Sequence, residues 1–408
     1  MSEPLRTRAW YAETGCSRLG DEDHKTEHPQ LKLTIVVPAF NEAARLVDRA
    51  TRLVDSVASG IIDPRTSELI LVDDGSTDGT SVVAAQLLSP AFPQMRIVRL
   101  RENSGKGAAV RAGAAAATAP VIAFMDADMS VDPREIHLLL EAIEHAHVAI
   151  GSRSVAGSSV ENSSYHRVVI GRTFNRIVNA LTNIRLKDTQ CGFKAFRTPV
   201  ARILFHLMTV DRFAFDVELL CVARQLGMQI SEVPVQWQGV DGSTVRLITD
   251  SLSMALDVAK ISARRNRPTI PALIVAAHAD RQNNGDGAAV IAEAVSSFRH
   301  TDPILPLPRD RALVLLPLCQ PTEVNGTASR LDRSSTNITV QRRLISCREL
   351  VEMLPEGWAH ASAATHDQRV DTGRSNERPL RGGRAHDAGY LASRGVEPVS
   401  NLEIYPCA

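Results

Sequence analysis

The chain has 408 residues, and its 46 lysines and arginines are balanced by 46 aspartates and glutamates. This length suffices for about two or three domains of ordinary size. Because the net charge is zero, the chain as a whole gives no electrostatic reason to expect a nucleic-acid partner. No run approaches the ~20 consecutive apolar residues of a spanning helix, so we predict no transmembrane segment. The six cysteines are scattered, which argues against a disulfide scaffold or a structural zinc site.

Composition divides the chain into three segments. Residues 1–30 are polar and lack apolar periodicity, which predicts a flexible lead-in without a secretory signal. From 31 to 267, short runs rich in Val, Ile and Leu alternate with helical stretches. Beyond 267 this pattern fails, and we expect 268–408 to be a low-order, irregular tail with short helices at 287–297 and 344–353.

The regular segment predicts strands alternating with helices. Short, continuously apolar runs indicate strands at 33–37, 68–72, 95–100, 121–125 and 148–150. Helices are expected between them, at 42–58, 78–88, 106–118 and 133–144. Apolar strands separated by helices indicate an α/β fold, a mostly parallel sheet with helices on both faces. The ligand of such a sheet binds beyond the carboxyl ends of its strands.

Acidic side chains follow three of the predicted strands. Glu42 follows the first strand, Asp73 and Asp74 end the second, and Asp126 and Asp128 follow the fourth. Each cluster alone also fits a turn or a helix cap. Together at one sheet edge, however, like charges repel unless a cation or hydrogen-bond donors compensate them. Two carboxylates one residue apart suit Mg²⁺ or Mn²⁺ shared with phosphates, so we expect a nucleoside diphosphate ligand.

A glycine turn with a lysine, at 103–107, opens the third predicted helix. A helix N-terminus beside a positive charge favours phosphate. The turn lacks the spacing and the Ser or Thr of a Walker A loop, which argues against a P-loop. The first strand-to-helix turn is PAFNE rather than G-x-G-x-x-G, which argues against a dinucleotide-binding fold.

Several stretches resemble the family 2 glycosyltransferases with the GT-A fold. The first four, in chain order, are IVVPAFNEAARL, ELILVDDGSTDGT, ENSGKGAAVRAG and FMDADMS. Three later stretches, GSR, DTQCGFKAF and RFAFDVELLCVARQLG, resemble the branch that makes polyprenyl-phosphate sugars. Within that branch they are more similar to dolichyl-phosphate glucosyltransferases than to mannosyltransferases. The resemblance covers about 31–260 and implies a single Rossmann-like GT-A catalytic domain at 31–267.

The resemblance also implies roles for the matching residues. The residues expected to bind the nucleotide sugar are Pro38, Ala39, Glu42, Asp73, Asp74, Lys106, Arg111, Asp126 and Gln190. Asp126 and Asp128 match the D-x-D motif and would hold Mg²⁺ or Mn²⁺, with Asp128 as the more direct ligand. Arg153 would face the donor or acceptor phosphate, and Asp216 would lie near the acceptor. Cys191 would line the sugar pocket or, alternatively, serve only in packing.

The activity implied is inverting, metal-dependent transfer of a hexose. We expect glucose to move from UDP-glucose onto a polyprenyl phosphate, giving a β-linked lipid-phosphate sugar. Because the second pKa of a phosphate monoester is about 6, such an acceptor is already anionic at neutral pH and needs no strong general base. Three alternatives stay open: GDP-mannose as donor, a soluble acceptor, and a non-catalytic protein that binds sugar nucleotides.

A basic segment at 162–187 bears on the acceptor. It contains five basic and no acidic residues, and its apolar side chains share one helical stripe: Ile170, Phe174, Ile177, Val178 and Leu181. Such a helix lies in the headgroup plane of a membrane or docks on the protein's own core. A second candidate, at 246–267, ends in a basic cluster that could meet anionic lipid. We therefore expect a cytoplasmic protein, peripheral on the cytoplasmic face of a membrane.

Overall fold

The computed structural model describes only part of the chain. The described residues are 31–162, 165–239, 247–263, 269–277, 290–291, 294, 298, 303–307, 311–319, 321–334, 338–353 and 403–406. The lead-in expected at 1–30 lies outside the described residues, as does most of the helix expected at 287–297.

The main sheet has eight strands. They are β1 Leu33–Ala39, β2 Ser67–Asp73, β3 Met95–Arg99, β4 Val121–Met125, β5 Val148–Ser152, β7 Phe193–Arg197, β8 Ile230–Pro234 and β14 Glu403–Pro406. Their order is β14-β3-β2-β1-β4-β7-β5-β8. Strands β3, β2, β1 and β4 are mutually parallel, β7 is antiparallel to both of its neighbours, and β14 is antiparallel to β3. The prediction of a mostly parallel α/β sheet is therefore confirmed.

Helices cover both faces of this sheet. One face carries α1 Ala43–Ala58, α2 Thr80–Leu88 and α4 Ile136–His145. The other carries α3 Lys106–Ala116, α5 Tyr165–Thr182, α6 Thr198–Leu207, α7 Phe215–Gln225 and α8 Leu247–Ala263. Successive residues of β1 point to opposite faces, so Ile35 packs into the first layer and Val36 into the second. Because both layers are apolar, the central strands β1, β2 and β4 carry mainly apolar side chains on both faces.

Helix α3 approaches the sheet unusually closely. A Cβ atom at Gly113 would lie 2.3 Å from Val36 Cγ1, so no larger side chain fits between the helix and β1. Most of the other residues in α3 are alanines, which allow the same close approach along the helix. This packing fixes the N-terminus of α3, with Lys106, beside the carboxyl ends of the strands.

Strands β7 and β8 were not predicted from the sequence. The β7 sequence, FKAFR, breaks the apolar run with Lys194, which the fold nevertheless buries completely. Strand β8 contains Ser231 and Glu232, and it lies half-buried at the sheet edge. A parallel two-stranded ladder, β6 Ser159–Glu161 with β9 Gln236–Gln238, lies outside the main sheet.

The C-terminal region contains more structure than the sequence predicts. Residues 270–345 form an antiparallel sheet of β10 Ile270–Ala277, β11 Ile304–Leu307, β12 Arg311–Leu315 and β13 Ile338–Ile345. Two helices follow its strands, α9 Pro321–Ser334 and α10 Cys347–Met353. Strand β13 includes the first residues of the helix expected at 344–353. The paired strands lie far apart in the chain among polar segments, so local composition does not reveal their pairing.

This second sheet packs against the main domain through one face. Ala272, Leu313 and Leu315 join the apolar cluster that contains α6 and α7, whereas Leu273 and Val314 lie on the other face, with α9. At the contact, the backbone N–H of Leu318 donates to His206 Nδ1 at 3.1 Å. His206 Nε2 therefore carries the proton and donates to the Thr269 carbonyl at 2.7 Å. Burial lowers the pKa of His206, which keeps the ring neutral.

The apolar stripe of α5 is divided between the core and the surface. Phe174 and Val178 are buried in the main core, as expected of a helix docked on the protein. Ile177 and Leu181 remain 40% and 44% exposed, respectively, as expected of a surface that meets another apolar phase. Within the described ranges, no helix combines the length and apolar character that a bilayer crossing requires.

Candidate active site

The D-x-D carboxylates follow β4 directly, and hydrogen bonds with nearby backbone groups hold both residues in place. The Asp126 N–H donates to the Gly192 carbonyl at 3.1 Å, and Asp128 Oδ1 accepts from the Ser130 N–H at 2.9 Å. A Cβ atom at residue 192 would lie 2.1 Å from Asp126 Oδ2. Glycine at 192 is therefore required for Asp126 to occupy this position.

A row of alternating charges begins at Asp126. Lys106 Nζ lies 2.6 Å from Asp126 Oδ1. Farther along, the fully buried Lys194 Nζ lies 2.6 Å from Asp216 Oδ1 and donates to the Cys191 carbonyl at 2.5 Å. Burial lowers the pKa of Lys106, but the negative charges of Asp126 and Asp216 outweigh it and raise that pKa above its ordinary value. The row thus holds Lys106 as a cation beside the D-x-D motif.

Asp126, Asp128 and Glu42 form a group of crowded carboxylates at the motif. Burial raises the pKa of Asp128, and the charge of Asp126 raises it further. Burial likewise raises the pKa of Glu42; Arg45, at 2.6 Å, opposes this effect, while Asp128 and Asp126 add to it. These three acids therefore repel one another.

The donor set fits a hard divalent cation. Among the described residues, no group of three or more His, Cys, Asp or Glu side chains could hold a metal ion without other ligands. Mg²⁺ commonly takes only one or two protein carboxylates and completes its shell with substrate phosphates and water. The repelling pair Asp126 and Asp128, half-exposed at the strand ends, suits that arrangement.

Arg153 forms a second fixed cation. Its Nε and Nη2 atoms lie 2.7 and 3.0 Å from the two carboxylate oxygens of Asp188. The guanidinium also lies 5.8 Å from the ring centroid of Trp237. Burial lowers the pKa of Arg153, but Asp188 raises it more strongly, and Asp126 adds to the increase. Arg153 therefore stays charged and keeps one orientation near the D-x-D motif.

Gln190 and Cys191 lie next to this pair. The Gln190 N–H donates to Asp188 Oδ1 at 3.1 Å, and its side chain is half-buried. Cys191 is 1% exposed, and its Sγ would lie 3.2 Å from a Cβ atom at Gly151. Burial raises the pKa of the Cys191 thiol to about 12, so the thiol is neutral. These contacts give Cys191 a packing role.

The ends of β1 and β2 form the other side of the site. Pro38 and Ala39 are buried at the end of β1, and the Ala39 carbonyl accepts from the Asp74 N–H at 2.9 Å. The Asp74 carboxylate accepts from the Ser104 and Gly105 N–H groups at 2.7 and 2.8 Å, which holds the glycine turn against β2.

Asp73 and Asp216 do not line an open site. Asp73 is fully buried and accepts from the Ser76 N–H at 2.7 Å and from the Ser81 hydroxyl, so it shapes the turn after β2. Asp216 is 3% exposed and paired with Lys194. Asp216 therefore faces its lysine neighbours rather than solvent, and its expected place near the acceptor stays a prediction.

Arg111 is also placed away from the residues expected around it. Its guanidinium pairs with Asp211 at 2.7 Å and donates to the carbonyls of Phe205 and Met208, each at 3.2 Å. The expected contact of Arg111 with the nucleotide stays a prediction, because these bonds fix the guanidinium without showing a ligand. Arg111 is five positions after Lys106 on α3, and its side chain points toward α6 and the loop that follows.

Four contributors were missed by the sequence analysis: Gly192, Lys194 and Asp188 of DTQCGFKAF, and Trp237. The stretch itself was recognised, but only its Gln and Cys were assigned. An acid and a lysine within an otherwise apolar strand region are the signal that could have found Asp188 and Lys194, because buried charges require partners. Trp237 gave no such signal.

Known proteins are similar to this chain in sequence. The profile described as glycosyl transferase family 2 matches residues 34–205. The dolichyl-phosphate beta-glucosyltransferase of Drosophila melanogaster is 36% identical over 250 residues, which cover 58% of this chain and 76% of that protein. The chain belongs to glycosyl transferase family 2. The human dolichyl-phosphate beta-glucosyltransferase is 33% identical over 58% of this chain and 77% of its own length.

A solved structure is also similar to this family 2 chain. It is the glucosyl-3-phosphoglycerate synthase of Mycobacterium tuberculosis in complex with Mn²⁺, UDP-glucose and phosphoglyceric acid. The match has a TM-score of 0.45 and 20% sequence identity, and it covers 59% of this chain and 83% of the other. As a member of family 2, the protein is a glycosyltransferase. Apart from Asp216, every site residue expected from the sequence lies within the matched range 34–205.

Proposed function

We propose that this glycosyltransferase moves glucose from UDP-glucose to a polyprenyl phosphate, with inversion at the anomeric carbon and a β-linked product. The observation that carries this proposal is the repelling pair Asp126 and Asp128 with two fixed cations nearby, Lys106 in contact with Asp126 and Arg153 close enough to feel its charge. Such a site suits two phosphate-bearing substrates. The names of the relatives support both the sugar and the lipid acceptor.

The donor would bind at the strand ends. Pro38, Ala39, Glu42 and Asp74 would hold the base and ribose, and Lys106 would approach the diphosphate. Asp126 and Asp128 would hold Mg²⁺ or Mn²⁺, which when bound neutralises charge on the departing nucleoside diphosphate. Lys106 keeps its proton throughout, because Asp126 and Asp216 raise its pKa. It therefore supplies a permanent positive charge near the leaving group.

The acceptor would approach near Arg153. A phosphate monoester is already anionic at neutral pH, so the protein must orient it rather than deprotonate it. Asp188 fixes the Arg153 guanidinium with two bonds, which leaves the cation pre-aligned and costs little reorganisation during the reaction. Gln190, bonded to the same carboxylate through its backbone, would line the sugar side.

A lipid acceptor requires access to a membrane surface, and α5 and α8 offer one. Ile177, Leu181 and Leu256 are exposed on these helices, which are joined by a hydrogen bond from the Ser262 hydroxyl to the Leu181 carbonyl at 2.6 Å. Exposed basic side chains lie nearby in the sequence: Arg172, Arg176, Arg185, Lys187 and Lys260. We propose that this α5–α8 surface rests on the cytoplasmic face of a membrane, where basic and apolar groups both find partners.

Two alternatives remain within this proposal, GDP-mannose as donor and a soluble phosphorylated acceptor. The test incubates the purified full chain with Mn²⁺ or Mg²⁺, radiolabelled UDP-glucose or GDP-mannose, and a short polyprenyl phosphate, followed by organic extraction. We expect label in the organic phase with UDP-glucose and only in the presence of the metal. Label in the organic phase with GDP-mannose but not with UDP-glucose would identify GDP-mannose as the donor. Absence of organic label with either donor would contradict a lipid acceptor.

We further propose that residues 31–267 carry all the groups needed for transfer. Every residue placed in the site lies between Pro38 and Trp237. The C-terminal sheet then serves the fold rather than the chemistry, since it shares a core with α6 and none of its described residues belongs to the site.

A further inference from the structure

The loop between α6 and α7, residues 208–214, is held from one side by Arg111. This guanidinium spans the loop from its start to its middle, because it donates to the Met208 carbonyl and pairs with Asp211. Arg111 thereby links the Met208 carbonyl and the Asp211 carboxylate of the loop to α3. These contacts fix the position of the Arg111 guanidinium.

A second charged group holds the same loop from α7. The fully buried carboxylate of Glu218 accepts from the Thr209 N–H at 2.7 Å, the Thr209 hydroxyl at 2.8 Å and the Val210 N–H at 2.8 Å. Three bonds to one carboxylate offset the cost of burying its charge. The loop is therefore clamped by an arginine and a glutamate from two different helices.

The clamped loop presses against the glycine turn that opens α3. The Asp211 carbonyl accepts from the Ala108 N–H at 3.1 Å. Gly105 has φ +105°, and a Cβ atom there would lie 2.5 Å from the Asp211 oxygen and 3.1 Å from Arg212 Cγ. The stem of Arg212 therefore lies directly beside Gly105, whose N–H binds Asp74.

Arg212 is exposed at this position. Among the residues that the structure describes, no carboxylate pairs with it, whereas Arg45, Arg111 and Arg153 are each paired with an acid. Burial raises the pKa of Asp74, and the charge of Arg212 is close enough to oppose part of this rise. A rigid backbone thus presents an unpaired guanidinium next to the strand-end carboxylates and the N-terminus of α3.

We propose that Arg212 binds a phosphate group of a substrate, and that Arg111 and Glu218 position it by clamping the loop 208–214. A guanidinium is suited to this role because it can bind a phosphate through two parallel hydrogen bonds. The phosphate belongs either to the donor diphosphate or to the acceptor monoester, and this inference rests on the proposed function for both. Arg212 then binds substrate and is more than a solvated charge on the surface.

Paired measurements on the full chain test the proposal. Arg212→Gln and Arg212→Lys are compared with Arg348→Gln, which makes the same charge change on the exposed surface of α10. Calorimetry gives the affinity for UDP and for GDP with Mn²⁺, and steady-state transfer gives the KM for polyprenyl phosphate. A hydrogen-bonded charge contributes enough for a loss of roughly tenfold to a hundredfold in Arg212→Gln. Arg212→Lys should recover part of it, and Arg348→Gln should match the wild type.

The two arms distinguish the source of the phosphate. Weaker binding of the nucleotide assigns Arg212 to the donor, whereas unchanged nucleotide binding with a raised KM for the lipid assigns it to the acceptor. No change in either arm overturns the proposal. If the wild type binds nucleotide without transferring sugar to lipid, the proposed function fails, and the nucleotide arm alone then decides for or against Arg212.

The positioning role of Arg111 has its own test. Arg111→Gln should weaken the binding of the same substrate as Arg212→Gln does. The double variant should lose much less affinity than the product of the two single losses, because both changes disable the same group, the Arg212 guanidinium. A purely structural role for Arg111 would instead lower stability and leave the two effects on affinity independent. Multiplicative losses would therefore overturn this part of the inference.

Discussion

The two sheets of this protein are built from similar apolar strands, but they differ in what they bury. The main sheet and its helices enclose charged side chains, among them Lys194, Asp216 and Glu218. In the described part of the chain from 269 onward, no polar or charged side chain is buried. Buried charge costs free energy unless it is paired, so an evolving core retains it only where it has a use. The difference supports our proposal that the chemistry lies in the main sheet and that the second sheet serves packing.

The largest effect is expected at the D-x-D motif. Asp128→Asn should reduce sugar transfer by about 10²-fold to 10³-fold or more, the range for losing one group that stabilises developing charge. Stability should hold or rise slightly, because the change removes repulsion from Asp126. Transfer assays and chemical denaturation measure the two effects, with the exposed Asp55→Asn as a control. Full activity in Asp128→Asn would show that the metal site lies elsewhere.

Breaking the buried ion pair should give the largest loss of stability. Lys194→Met leaves Asp216 buried without its closest partner, and this should lower the free energy of unfolding by about 3–5 kcal/mol. The double variant Lys194→Met with Asp216→Leu should regain most of that stability, because the uncompensated charge is gone. Urea denaturation of the three proteins gives the comparison. A single change that costs under about 1 kcal/mol would mean that the pair is not buried as described.

A cavity in the second sheet should separate stability from binding. Leu273→Ala removes a fully buried side chain between β10 and α9, and it should cost about 2–5 kcal/mol in the unfolding of that sheet. We expect the affinity for UDP with Mn²⁺ to stay unchanged, because the second sheet contributes no residue to the site. A parallel loss of UDP affinity would contradict the proposal that the second sheet takes no part in binding.

The smallest effect concerns pH at the contact between the sheets. Burial lowers the pKa of His206 in the folded state below its ordinary value of 6.5, so the unfolded chain binds the proton more readily. The stabilisation is therefore complete above about pH 6.5 and declines as the pH falls toward the folded-state pKa. His206→Gln should flatten this part of the profile. Unfolding free energies from pH 5 to 7.5 test it; identical slopes in both proteins would rule His206 out.

Sequence patterns predicted the strands and the D-x-D site because those signals are local. The three strands that precede the acidic clusters are rich in Val, Ile and Leu, and the carboxylates follow them within a few residues. The pairing of Arg111 with Asp211 was not predicted, because a motif reports a residue's neighbourhood but not the direction of its side chain. Lys194 and the second sheet were missed because their partners, Asp216 and the paired strands, lie far away in the chain. The apolar stripe of α5 contains both core and surface side chains, and tertiary packing rather than sequence spacing decides which of them are buried.

We propose that Asp126 and Asp128 bind a nucleoside diphosphate through a divalent cation. Calorimetric titration of the full chain with UDP, in Mn²⁺ and in EDTA, tests this proposal. Because two repelling carboxylates would face the diphosphate, we expect binding in Mn²⁺ to be at least roughly tenfold tighter than in EDTA. Equal affinity under the two conditions would contradict the claim.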